Sequence, residues 1–122
     1  MKDNVKYEFH HFGIPVQDGN KNGVFSEKVG MYTTDNPGRF RVQWHRFTED
    51  SALHPLIKSI PHIAFRVDCL AEAIKDEDIL LGPYEPIDDY CVAIINDAGV
   101  PIENDLPAII SKLRFFSFRS RT

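Results

Sequence analysis

The sequence predicts an α+β fold made of two similar β-rich halves, and three observations lead to it. The first is an internal echo. His11-Phe12-Gly13-Ile14-Pro15-Val16 is matched by His62-Ile63-Ala64-Phe65-Arg66-Val67, with Asp18 and Asp68 following and the histidines 51 positions apart. Both segments read His, apolar, small, apolar, variable, Val, and a repeat of that length points to duplication of a supersecondary unit. The second is alternation at the period of a strand. His11, Gly13 and Pro15 share one face opposite Phe12, Ile14 and Val16, and His62, Ala64 and Arg66 lie opposite Ile63, Phe65 and Val67. The third is that turn and strand signals follow each copy in a similar order.

In the first half, the stretch Gly19-Asn20-Lys21-Asn22-Gly23 has no helical character, and an extended segment runs over Val24 to Thr33. Asp35-Asn36-Pro37-Gly38 reads as a turn, and Phe40 to Phe47 as a strand rich in aromatics. Thr48 to Pro61 joins the halves. Ser51 is expected to cap a short helix carrying Leu53, Leu56, Ile57 and Ile60, with Pro55 in its first turn. This linker is too apolar for a flexible tether, so the halves are expected to pack together.

The second half adds a helix. Asp68 is the expected N-cap of a helix from Cys69 to Asp76, with Leu70 and Ile74 one turn apart. Gly82-Pro83 is read as a break. Tyr90 to Ile95 follows as a strand, Asp97-Ala98-Gly99 as a tight turn, and Val100 to Glu103 as the hairpin partner. From His11 to Gln43 is 32 positions and from His62 to Glu103 is 41. The difference of nine is about one short helix, so the first copy is read as having lost, or nearly lost, its crossover helix.

Composition bounds the function. At 122 residues the chain is expected to form one domain, with halves at about 5–47 and 60–105 and a tail over 106–122. Hydrophobic residues make up 43%, including nine Phe, which is enough for a core without staples. A net charge of −4 argues against a nucleic-acid binder, which needs clustered Lys and Arg. Cys69 and Cys91 form neither a Cys-x-x-Cys pair nor a zinc array, and a disulfide framework is not expected. No secretory h-region is seen, and no apolar run approaches the roughly 20 residues that span a bilayer. A cytoplasmic protein without membrane partners is the expectation. The tail carries Lys112, Arg114, Arg119 and Arg121 with Phe115, Phe116 and Phe118, and reads as a subunit contact or a disordered end.

A divalent cation needs several N or O ligands converging from different strands. His11 and His62 hold equivalent places in the two copies, and Glu103 ends the last strand of the second. Gln43 and His45 share a face on the last strand of the first, and periodicity does not choose between them. A lone strand His is ordinarily a hydrogen-bonded structural residue, whereas two at matching repeat positions point to a shared site. His10 is expected on the face opposite His11, and His54 beside Pro55 in solvent. Of Arg39, Arg41, Arg46 and Arg66, only Arg41 and Arg66 share the face of these residues, where guanidinium suits an anionic substrate group.

Taken together, His11-Phe-Gly-Ile-Pro-Val, Pro61-His-Ile-Ala-Phe-Arg-Val-Asp68, Gly82-Pro83 and Asp97-Ala-Gly-Val-Pro-Ile-Glu103 resemble the vicinal oxygen chelate superfamily. That group includes glyoxalase I, methylmalonyl-CoA epimerase, extradiol dioxygenases and bleomycin-resistance proteins. The resemblance covers about residues 8–104 and implies paired βαβββ modules around a metal cleft, the first with a reduced or missing helix. It implies a divalent metal ion (Zn, Ni, Co, Mn or Fe) on His11, Gln43, His62 and Glu103, with His45 as the alternative to Gln43. It further implies a lyase, isomerase or epimerase acting on a small oxo acid or thioester through a metal-stabilised enolate, with Glu103 as base. Arg41 and Arg66 are substrate-contact candidates on their strand face alone, solvent exposure or pairing with acids being the more ordinary role. A homodimer is implied as well. The alternative within the same superfamily is a metal-free small-molecule binding protein. One departure stands out: where the family continues as an apolar strand, Asn104-Asp105-Leu106-Pro107 is expected to interrupt it.

Overall fold

The computed structural model describes residues 1–17 and 23–107, so the expected loop at 18–22 and the tail from 108 lie outside the described residues. The fold is α+β and mostly sheet. Its strands are β1 (Tyr7–Val16), β2 (Val24–Ser26), β3 (Met31–Asp35), β4 (Val42–Phe47), β5 (His62–Val67), β6 (Asp78–Ile87), β7 (Tyr90–Asp97) and β8 (Val100–Pro107). Two short helices, α1 (Pro55–Ser59) and α2 (Leu70–Ile74), complete it. The eight strands form one sheet in the order β2-β3-β4-β1-β5-β8-β7-β6, curled into a half-barrel.

Strand β1 pairs parallel with β4 and β5 parallel with β8, while β1 and β5 meet antiparallel at the centre. Each half therefore lays its first strand beside its last, and the two histidine-bearing strands are neighbours. No helix lies between β1 and β2 among the described residues. No helix of the described residues is long and apolar enough to cross a membrane.

Two apolar clusters hold the halves together. Leu70 and Ala73 of α2 pack with Val5, Val67 and Ala93 on one face of the sheet. On the other, Ile57 of α1 and Leu53 of the linker join Val29 of the first half to Val92 and Ile94 of β7. β7 is thus buried on both faces, as its run Val-Ala-Ile-Ile requires. The apolar linker seals the two halves, in line with its composition.

Several local expectations are corrected. Ser51 is not a cap: its Oγ donates to Val29 O at 2.6 Å, tying the linker to the first half. The N-cap of α1 is the exposed His54, whose Nδ1 accepts from Leu56 N. Asp68 does not cap α2 either, because its Oδ1 accepts from Lys6 N at 2.9 Å and Cys69 takes the cap position. Gly82-Pro83 does not break the chain but lies within β6, joined by a cis peptide bond. β6 is the edge strand, where a missing proline N–H is tolerated, and its register shifts around that step.

β8 also runs on past Glu103 instead of stopping. Asn104 and Asp105 are 1% and 0% exposed, so the strand carries two buried polar residues to opposite faces. The hairpin before it is a two-residue turn, Asp97 facing Val100 with Ala98 and Gly99 both at positive φ, the backbone that matches strand twist.

Candidate metal centre

Strand register explains how distant residues meet. His11 lies opposite Ala64, and Ala64 opposite Glu103, so His11 and Glu103 flank a residue with only a methyl side chain. Gly13 lies opposite both His62 and Gln43, while Pro15 lies opposite His45. The small residues of the echo are therefore the floor on which the imidazoles of neighbouring strands rest. A Cβ on Gly13 would fall inside the His62 ring. Gly13→Ala is accordingly expected to displace His62, with loss of cation binding at equilibrium while the melting temperature falls only modestly. Retained binding at full strength would show that the His62 ring position is immaterial.

His11, His45 and His62 are 6%, 4% and 4% exposed, and their ligand nitrogens lie within 4.8 Å of one another. The rings of His45 and His62 stack with centroids 5.1 Å apart, and His11 meets His62 edge-on at 5.5 Å. Glu103 closes the group, with Oε1 at 3.5 Å from His62 Nε2 and Oε2 at 3.9 Å from His11 Nε2. The Nε2 atoms of His45 and His62 are both buried without a hydrogen-bond partner. Glu103 is near enough to His62 for an ion pair, but the contact lacks hydrogen-bond geometry. Buried polar atoms left in this way cost stability. A cation at the centre of the group would satisfy them.

The electrostatics fit the same ligand. Burial lowers the pKa of His11 and His62 to about 3 and of His45 to about 4, with the neighbouring imidazoles adding to the effect. All three rings are neutral at neutral pH, the form a metal takes. Burial raises Glu103 well above the usual carboxylate range, and the charge of the Asp105 carboxyl beside it adds to the rise. Burial also raises Asp105, opposed by the neighbouring Glu103 carboxyl and by the hydrogen bond that Tyr90 Oη donates. Neutral imidazoles beside two buried carboxyls of raised proton affinity form a basin short of positive charge.

Outer contacts set the tautomers. His45 Nδ1 lies 3.0 Å from Thr33 Oγ1. If it donates there, Nε2 carries the lone pair, the arrangement that metal-bound histidines ordinarily show. His11 Nδ1 has His10 Nδ1 at 2.7 Å. This corrects the expectation for His10. A register shift between Phe9 and His11 makes His10 the extra residue of a β-bulge, which turns it toward His11 instead of the opposite face.

The expected residues separate as follows. His11, His62 and Glu103 come together, and His45 joins them. Gln43 is half-buried and lines an adjoining depression of ≈ 230 Å³ with His10, His11, Asn36 and Arg41. Arg41 is exposed there and donates to Phe9 O at 3.4 Å. Arg66 is half-buried, with Nη2 3.4 Å from His10 Nε2 and its Nε buried without a partner. Arg46 and Arg39 instead lie over the rings of Tyr32 and Phe40.

His10 and Asp105 were the residues sequence reasoning missed. Asp105 had a usable signal, since it stands two residues after Glu103 and so shares its face on a strand. No family model, curated protein or solved structure matches this chain.

Proposed function

We propose that this chain is a divalent-metal enzyme of the vicinal oxygen chelate type, acting on a small oxygen-bearing metabolite by lyase, isomerase or epimerase chemistry. The observation that carries the reading is the convergence of three buried, neutral imidazoles and one carboxyl, with two Nε2 atoms lacking a hydrogen-bond partner. Strand order supports it: two four-strand halves, each with its first strand parallel to its last, agree with paired βαβββ modules of which the first lacks the helix. In this reading His11 and His45 come from the first and last strands of one module, and His62 and Glu103 from those of the other.

A bound divalent cation would supply Lewis-acid polarisation of a substrate oxygen. His11, His45 and His62 would hold it as neutral donors. Glu103, near both His11 and His62, would be a carboxylate beside a bound cation and so would be placed to take a proton from a carbon next to that oxygen. Tyr90 Oη donates to Asp105 Oδ2 at 2.8 Å and so steadies the carboxyl behind Glu103. The depression beside His11 gives substrate access, with Arg41 and Gln43 at its wall.

The test is elemental analysis of purified protein together with Glu103→Gln. The expected result is a stoichiometric transition metal, with turnover of a 2-oxo acid or thioester lost in Glu103→Gln by more than about a hundredfold, since general-base catalysis contributes about 10²–10⁴. Protein that takes up no metal, even from excess Zn²⁺ or Co²⁺, would overturn the metal assignment. Unchanged turnover in Glu103→Gln would overturn the base.

A further inference from the structure

We propose that His10, His11 and Asp105 hold a second divalent cation beside the first, with His11 shared between the two. The inference rests on the reading of His11, His45, His62 and Glu103 as a metal centre. His10, His11 and Asp105 each offer one ligand atom, all within 4.8 Å of one another. They come from two strands that do not pair directly, and the β-bulge is what brings His10 into the group.

The two nitrogens of His11 serve the two groups separately. Nε2 points at Glu103, 3.9 Å away, while Nδ1 lies 2.7 Å from His10 Nδ1. Two nitrogens so spaced can both reach one ion at the roughly 2.0–2.1 Å of a metal–imidazole bond.

Asp105 supplies the independent sign of a missing ligand. The residue is 0% exposed, Tyr90 takes Oδ2, and Oδ1 is buried with no hydrogen-bond partner. Two imidazole nitrogens and a carboxylate oxygen suit Zn²⁺, Co²⁺ or Mn²⁺. The depression bordering His10 and His11 gives an entry path and room for water on the open positions.

Binding carries a definite proton balance. One proton sits between the two Nδ1 atoms in the metal-free protein. His10 holds that proton on Nδ1 and must move it to Nε2 when Nδ1 binds the ion, while His11 releases its own single proton to solvent and bridges the two ions as an imidazolate. Any proton held by the raised Glu103 and Asp105 carboxyls leaves as well. Arg66 opposes this. Its Nη2 faces His10 Nε2, which keeps the ring proton on Nδ1, and its charge repels a cation. The second site is therefore the weaker of the two, and removing the guanidinium tightens it.

The experiment is calorimetric titration of the metal-free protein with Zn²⁺ and with Co²⁺, with bound metal counted by plasma mass spectrometry and folding checked by thermal melting. Wild type is expected to bind two equivalents with unequal affinities. His10→Ala and Asp105→Asn each leave one equivalent at the stronger site. His45→Ala weakens the stronger site and spares the weaker, and Arg66→Met tightens the weaker by on the order of tenfold. A single equivalent, lost in His45→Ala and unchanged in His10→Ala and Asp105→Asn, would overturn the second site while leaving the first standing. No binding at all would overturn both.

Discussion

Replacing His45 by alanine is expected to lower affinity for Zn²⁺ or Co²⁺ by more than about a hundredfold, while Gln43→Ala leaves it within a few fold. Loss of a residue that only orients a ligand already costs about 10–100-fold, and in the proposed site His45 is itself a ligand. Its ring is stacked on His62, its Nδ1 is held by Thr33, and its Nε2 has nothing else to bind. Gln43 shares the strand and the face, yet it lies opposite Gly13 and lines the depression beside His11. Competition with a chromophoric chelator measures both variants. His45→Gln, which keeps most of the volume, separates ligand loss from a packing defect. A larger loss in Gln43→Ala than in either His45 variant would return Gln43 to the ligand set. The Co²⁺ absorption bands give a second readout, since exchanging an imidazole for water changes the ligand field whereas a change at Gln43 does not.

That contest marks the edge of what the sequence discloses. Alternation places Gln43 and His45 on one face, and the echo places His11 and His62 on equivalent strands, because side-chain period is a local property of the backbone. Which of two residues on one strand reaches the centre depends on register against a distant strand. Here the pairs Gly13 with Gln43 and Pro15 with His45 decide it, and no local signal encodes that pairing. His10 shows the same limit more sharply. Strict alternation sends it away from His11, and only a bulge, a two-against-one mismatch with Phe65 and Ala64 across the sheet, turns it back. The polar pair Asn104-Asp105 predicts an interruption, because polarity ordinarily ends a buried strand, yet β8 runs through it. The strand continues because each side chain finds partners, Asn104 at the carbonyls of Ala93 and Ile102 and Asp105 at Tyr90. The α+β class and several single elements, by contrast, are legible in the sequence. The His-bearing strands, the helix after Asp68 and the Asp97 hairpin all rest on short-range pattern.

Without metal, the protein is expected to lose stability steeply as the pH falls from 6.5 towards 4.5. His11, His45 and His62 titrate at about 3, 4 and 3 in the folded chain against an ordinary 6.5. The unfolded chain therefore takes up three protons in this window that the native state refuses, and stability present above pH 6.5 drains away as pH falls towards those folded values. Glu103 and Asp105 act with the opposite sign. Their folded pKa values are raised, so the native pair keeps a proton that the unfolded chain has released above the usual carboxylate range, and that contribution fades as pH rises. The carboxyls therefore subtract from the histidine difference, whose three protons set an upper limit of about 4 kcal/mol per pH unit. Against the 5–15 kcal/mol typical of a domain, two pH units of that slope remove much of the total. A saturating cation raises stability at neutral pH and also steepens the fall towards that limit, because it lowers the proton affinity of the carboxyls that offset the histidines. Urea midpoints at pH 6.5, 5.5 and 4.5, with chelator and with excess Zn²⁺, measure both slopes. Substituting His62 by Gln should remove about one proton from each. A flat profile across that range would mean that the three rings are not held neutral in the interior, and the case for a preformed cation site would fall with it.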